Sequence, residues 1–82
     1  MKEMHLAIVS PEQTVFDGKV SQVTLPGEYS RFQVLYNHAA IISTLVAGEV
    51  SYTTDTNETH SMKINGGFVE VNNNDISVCA EL

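Results

Sequence analysis

The sequence predicts an all-β fold: an antiparallel β-sandwich or flattened barrel of roughly eight to ten short strands. Three observations predict it. Apolar residues recur with a period of two, turn-forming residues punctuate the chain at short intervals, and the alternate positions are mostly polar. Successive side chains on a strand point to opposite faces, so this pattern suits sheets that are covered on one side only.

The first element is the alternation of Met4, Leu6 and Ile8 with His5, Ala7 and Val9. Val23 and Leu25 then alternate with Gln22 and Thr24. Val50 and Tyr52 alternate with Glu49, Ser51 and Thr53, and Met62 and Ile64 with Ser61 and Lys63. Val69 and Val71 flank Glu70, and Ile76 and Val78 flank Ser77. Reversals are expected at Asp17-Gly18, Pro26-Gly27, Asp55-Thr56-Asn57, Asn65-Gly66-Gly67 and Asn72-Asn73-Asn74-Asp75, because these residues tolerate positive φ or preset a turn. Of these, Asp55–Glu58 and Asn72–Asp75 read as hairpins. The segment Ala39–Val46 has larger apolar residues at 41, 42, 45 and 46, which also fits a helix. Its length is only about two helical turns, and its Ile, Ser, Thr and Val content favours an extended or bent strand.

The 82 residues make one domain, expected over residues 1–82. A chain this short buries only about 60–65% of its unfolded surface, so its own stability is modest. Net charge is −6, and Lys2, Lys19, Arg31 and Lys63 are scattered. Phosphate backbones and anionic lipids demand clustered cations, so neither nucleic acid nor a membrane surface is the expected partner. The single cysteine, Cys79, forms no intrachain disulfide, and no apolar run approaches a signal peptide or a membrane span. The expectation is a soluble protein of a reducing compartment. Asn57-Glu58-Thr59 fits a glycosylation pattern, but it is read as a turn.

No chemistry assembles from these residue types. Cys79 paired with His5, His38 or His60 would make a thiol–imidazole couple, but a small, half-buried strand residue is the plainer reading. The histidines lack the spacing of a shared metal site, and Glu12, Asp17, Glu28, Glu49 and Glu58 fall at expected strand ends or turns. Asn65-Gly66-Gly67 is too short to cradle a phosphate and reads as backbone crowding or a bulge. No catalytic residue, metal ligand or cofactor is therefore assigned. What remains is surface: Gly27–His38 mixes Tyr29, Arg31, Tyr36 and other polar groups with Phe32 and Leu35, a composition common at protein interfaces.

Several segments together resemble the N-terminal β-sandwich domain of the epsilon subunit of F-type ATP synthase. Met4-His5-Leu6-Ala7-Ile8-Val9-Ser10-Pro11-Glu12 is similar to that family's opening, followed by Val15-Phe16-Asp17-Gly18 and Val23-Thr24-Leu25-Pro26-Gly27. Phe32, Val34, Leu35, His38 and Ala39 fit its long loop, and Gly48 and Gly66-Gly67-Phe68-Val69-Glu70-Val71 fit its second half. The loop departs from the family where Ser30, Gln33, Tyr36, Asn37 and Ala40 replace the usual Gly or Pro. Asn37 still tolerates a left-handed backbone, whereas Tyr36 does not imitate proline.

The resemblance implies a non-catalytic rotor subunit that links the gamma shaft to the ring of c subunits. It implies no cofactor and no insertion in the membrane, only a peripheral place on the cytoplasmic side of the bacterial plasma membrane. By position, Ser10, His38, Ala39, Ala40, Ile41, Ile42 and Ser43 are expected to face gamma, and Glu28, Tyr29, Ser30 and Arg31 the c ring. The family commonly continues into two C-terminal helices. This sequence stops at Leu82, and the expectation drawn from that is a subunit without the helical arm. The other reading is a freestanding β-sandwich module for a protein or ligand, which an open edge strand or an apolar pocket would mark.

Overall fold

The computed structural model describes residues 3–82, so Met1 and Lys2 lie outside the described residues. Six strands follow one another: β1 (Met4–Val9), β2 (Thr14–Pro26), β3 (Arg31–Val34), β4 (Ile41–Thr54), β5 (Thr59–Asn72) and β6 (Asp75–Glu81). They are fewer and longer than the sequence suggests. The alternating segments at 41–46 and 49–53 run together as one strand of 14 residues, and so do those from 59 to 72.

The sheet has the order β1-β6-β5-β4-β2-β3, and a further pairing of β1 with β2 closes it into a barrel with β3 at the flank. Closure explains a departure from the all-antiparallel expectation. Five strands form the ring, and an odd ring cannot alternate direction throughout, so one neighbouring pair must run parallel. That pair is β1–β6, with His5 opposite Asp75 and Val9 opposite Cys79. The two strands lie near opposite ends of the chain, and the rest of the barrel serves as their crossover connection.

Barrel closure gives one core. Leu6 and Ile8 of β1, Ile76 and Val78 of β6 and Val69 and Val71 of β5 are buried, as their alternation predicts. Leu45, Val50 and Tyr52 come in from β4, and Val34 from β3. Fully burying a side chain of this size stabilises the fold by about 1.5–3 kcal/mol. Tyr52 stacks on Phe16 with ring centroids 4.4 Å apart, and burial pushes its phenol pKa up from 10.

Strand β2 changes phase. Val20 is buried, and so are Val23 and Leu25, which an unbroken alternation forbids. The register against β4 explains it: Val20 faces Thr54 and Gln22 faces Thr53, so Ser21 is an extra residue. Such a bulge bends the strand and returns the next apolar residues to the core.

Two expected reversals are strand interior instead. Asp17 and Gly18 pair with Ala7 and Leu6 in the middle of the β1–β2 ladder. The turn lies earlier, where the Ser10 backbone amide donates to the Gln13 carbonyl at 2.9 Å and its hydroxyl to the same oxygen at 3.2 Å. Gly66 and Gly67 continue β5 in unbroken register with β4, without a bulge. Crowding explains Gly67: φ is +145°, and a Cβ there would fall 2.0 Å from the Cys79 carbonyl oxygen. The Asn72–Asp75 hairpin does form, with Asn73 and Asn74 both at positive φ. That pair of left-handed residues matches the twist of the flanking strands.

Candidate protein-docking surface

On the outward face of the barrel, one band across β1, β6, β5 and β4 carries apolar residues where strand alternation calls for polar ones. Val9, Cys79, Phe68 and Thr44 lie in one row across the four strands. Next to that row, Ile42 stands opposite Glu70 and Val46 opposite Gly66. Ile42 is 76% exposed and Phe68 51%. Both Ile42 and Val46 flank the inward Leu45 phase of β4, so this half of the strand is apolar on both faces. That is the physical origin of the helix-like 41, 42, 45, 46 pattern.

At one end of the row, Val9, Ser10, Pro11, Phe68 and Cys79 line a shallow, mainly apolar hollow of about 300 Å³. A second shallow hollow lies between β4 and β5, lined by Ala40, Ile41, Ile42, Glu70, Val71 and Asn72. Of the residues expected to face gamma, Ser10 therefore borders the first hollow, and Ala40, Ile41 and Ile42 the second. Ser43 is half-buried on the inward phase of β4, and its hydroxyl donates to the Thr44 carbonyl. His38 and Ala39 lie in the β3–β4 loop, where the His38 ring Nδ1 donates to the Ala39 carbonyl at 2.7 Å.

Phe68, Val46 and Cys79 belong to the same face, and the sequence alone does not single them out for it. Phe68 gives a usable signal, since it is a large aromatic on the polar phase set by Val69 and Val71. Cys79 has Val9 and Phe68 as its cross-strand neighbours. His5 stands four residues back along β1 from Val9, about 13 Å away at strand rise, and the His60 ring lies against Tyr52. His38 lines a hollow with Asn72, Asn73 and Asn74 at the β5–β6 hairpin, the other end of β6 from Cys79, so no histidine is placed beside the thiol. Among the described residues, no group of three or more His, Cys, Asp or Glu is arranged to hold a metal ion.

Glu28, Tyr29, Ser30 and Arg31 form an exposed corner where β2 turns into β3. Tyr29 is 95% exposed. The corner is anchored to β4 at two points. The Glu28 amide donates to the Thr44 carbonyl at 3.1 Å, and Arg31 Nη1 donates to the Glu49 carbonyl at 2.5 Å. The corner therefore adjoins the apolar face at Thr44.

Residues 3–82 match the family model described as the β-sandwich domain of the ATP synthase delta/epsilon chain. Among curated relatives, the chain is 40% identical over 79 residues to the ATP synthase epsilon chain of Maricaulis maris, covering 96% of this chain and 59% of that one. It is 39% identical over 82 residues to the epsilon chain of Campylobacter curvus, covering 99% and 63%. The chain thus spans roughly three fifths of these relatives' length. Its fold is that of a chain in the Euglena gracilis mitochondrial ATP synthase, with a TM-score of 0.90 at 17% identity over 98% of this chain and 51% of the other. A chain of the Tetrahymena thermophila mitochondrial ATP synthase central stalk and c ring gives 0.79 at 19% identity, over 100% and 65%.

Proposed function

The chain belongs to the ATP synthase delta/epsilon family through its β-sandwich domain, and on that premise we propose that it is a non-catalytic rotor subunit joining the gamma shaft to the c ring. The observation that carries this reading is the outward apolar face of Ile42, Val46 and Phe68 beside the Ser10 hollow. Exposed apolar groups set together on a small domain favour burial against another protein. Gamma is the proposed occupant of that face, engaging Ser10, His38, Ala39, Ala40, Ile41, Ile42 and Ser43. The c ring is the proposed partner of the Glu28–Arg31 corner, whose exposed phenol and guanidinium suit polar, carboxylate-bearing loops.

The mechanical task follows from the fold. Torque from a turning ring reaches a shaft without slip only through a joint that does not yield. A closed barrel with a close-packed core transmits strain instead of absorbing it. Closure also leaves few free strand edges to pair wrongly inside a crowded assembly. The side chains here bind and position; the chemistry of ATP synthesis belongs to other subunits. In this reading the chain is peripheral, on the cytoplasmic side of a bacterial plasma membrane, with no nucleic-acid partner and no inserted segment.

A freestanding ligand-binding module would also need an apolar hollow. Here the hollow shares Phe68 with the exposed face, which suits one continuous protein contact better than an enclosed ligand. Affinity purification of the tagged chain from its native source tests the proposal. Recovery of both gamma and c subunits is the expected result, and recovery of neither sinks it.

A further inference from the structure

His5 lies on β1, the strand whose pairing with β2 and β6 closes the barrel. Its Nε2 is 2.7 Å from Oδ1 of Asp17 on β2, and its Nδ1 is 3.0 Å from Oδ1 of Asp75 on β6. An ionised carboxylate only accepts hydrogen bonds, and a neutral imidazole donates from one nitrogen alone. Two such contacts on one ring are therefore satisfied together only when both nitrogens carry protons. The place is not incidental. The His5 backbone amide also donates to the Asn74 carbonyl at 2.9 Å, at the start of the parallel β1–β6 pair that the odd ring requires.

We propose that His5 is a proton-operated clasp across the closing seam of the barrel. Protonated, the ring ties β2 and β6 to β1. Once one proton leaves, one nitrogen lone pair faces a carboxylate oxygen, and that strand loses its tie. The charged groups around the ring are Asp17 and Lys19 on β2, Asp75 on β6, and Glu3 just before β1. Lys19 stands directly opposite His5 in register and opposes its charge, while the carboxylates favour it.

The hydrogen bond to Asp75, then that to Asp17, hold the imidazole pKa above its ordinary 6.5, with slight burial acting the other way. A pKa raised by folding gives stability that is fully present below 6.5 and is lost as pH rises through the folded value. All three side chains are well exposed, so added salt weakens the clasp.

The clasp is independent of the proposed stalk role and is tested on the chain alone. NMR titration of the His5 ring is followed in the parent, Asp17→Asn and Asp75→Asn chains. The expected result is a parent midpoint above 6.5 that falls in each variant. Thermal unfolding of the parent and His5→Gln is compared across the same pH range. The parent's advantage is expected below pH 6.5, fading as pH rises and shrinking in high salt. A parent midpoint at or below 6.5, a midpoint unmoved by either Asn variant, or a pH-independent gap to His5→Gln overturns the clasp.

Discussion

Asn37 and Asn74 bind each other across the gap between the β3–β4 loop and the β5–β6 hairpin. The Asn37 backbone amide donates to Asn74 Oδ1 at 2.6 Å, and Asn74 Nδ2 donates to Asn37 Oδ1 at 3.2 Å. Both residues have left-handed backbones, with φ of 66° and 63°. Asparagine thus fills a position where the family resemblance leads one to expect glycine or proline, and it adds a tie that neither provides. Asn37→Ala removes a hydrogen bond and strains the backbone, for an expected loss of about 2 kcal/mol. Asn37→Gly keeps the conformation and the backbone donor, so its loss should be under about 1 kcal/mol. Urea unfolding of the two variants checks the order.

Gly67 is the position least able to accept a side chain. Its φ is +145°, and a methyl carbon on its Cα would sit 2.0 Å from the Cys79 carbonyl oxygen, so both backbone and space exclude alanine. Gly67→Ala must therefore push β5 away from β6, at an expected cost on the order of 3 kcal/mol or more. In a domain of this size that lowers the melting temperature by more than about 12 °C. Circular dichroism melts measure it, and a drop of only a few degrees would count against the close approach.

Ile42 separates docking from folding. It is 76% exposed, so Ile42→Asp should cost only about 1 kcal/mol, from lower strand propensity and the facing Glu70, while weakening capture of gamma. Leu45→Ala, three residues on and buried, should cost about 2–5 kcal/mol through loss of core packing. A charge at Ser43 is a less clean probe, because that side chain is half-buried on the inward phase of β4.

The Glu28–Arg31 corner calls for a similar separation. Tyr29→Ala touches nothing that holds the corner, so loss of c-ring association without loss of stability is expected. Arg31→Glu also breaks the bond to the Glu49 carbonyl, so it should weaken the ring contact and loosen the corner together. Co-purification with c subunits, set beside a thermal melt of each variant, distinguishes the two.

Much of the barrel is legible in the sequence because Val69 and Val71, and Ile76 and Val78, obey a strict two-residue period around the Asn72–Asp75 turn. The Ser21 bulge is not, because one extra residue in a ladder is visible only against its partner strand. Asp17-Gly18 has turn chemistry, but local chemistry yields to the pairing with Ala7 and Leu6 across the seam. The parallel β1–β6 pair follows from counting the strands in a closed ring, and closure is a property of the whole chain. For the docking surfaces, composition marks Tyr29 at the corner and the family resemblance marks Ile42 on the apolar face, whereas Phe68 is marked only by standing on the polar phase that Val69 and Val71 set.

The most direct measurement is a paired pull-down from cells carrying the tagged parent chain, Ile42→Asp or Tyr29→Ala, with gamma and c subunits quantified in each. The account predicts that the parent recovers both, that Ile42→Asp loses mainly gamma contact, and that Tyr29→Ala loses mainly the ring. Recovery of neither subunit by a folded parent chain would contradict it.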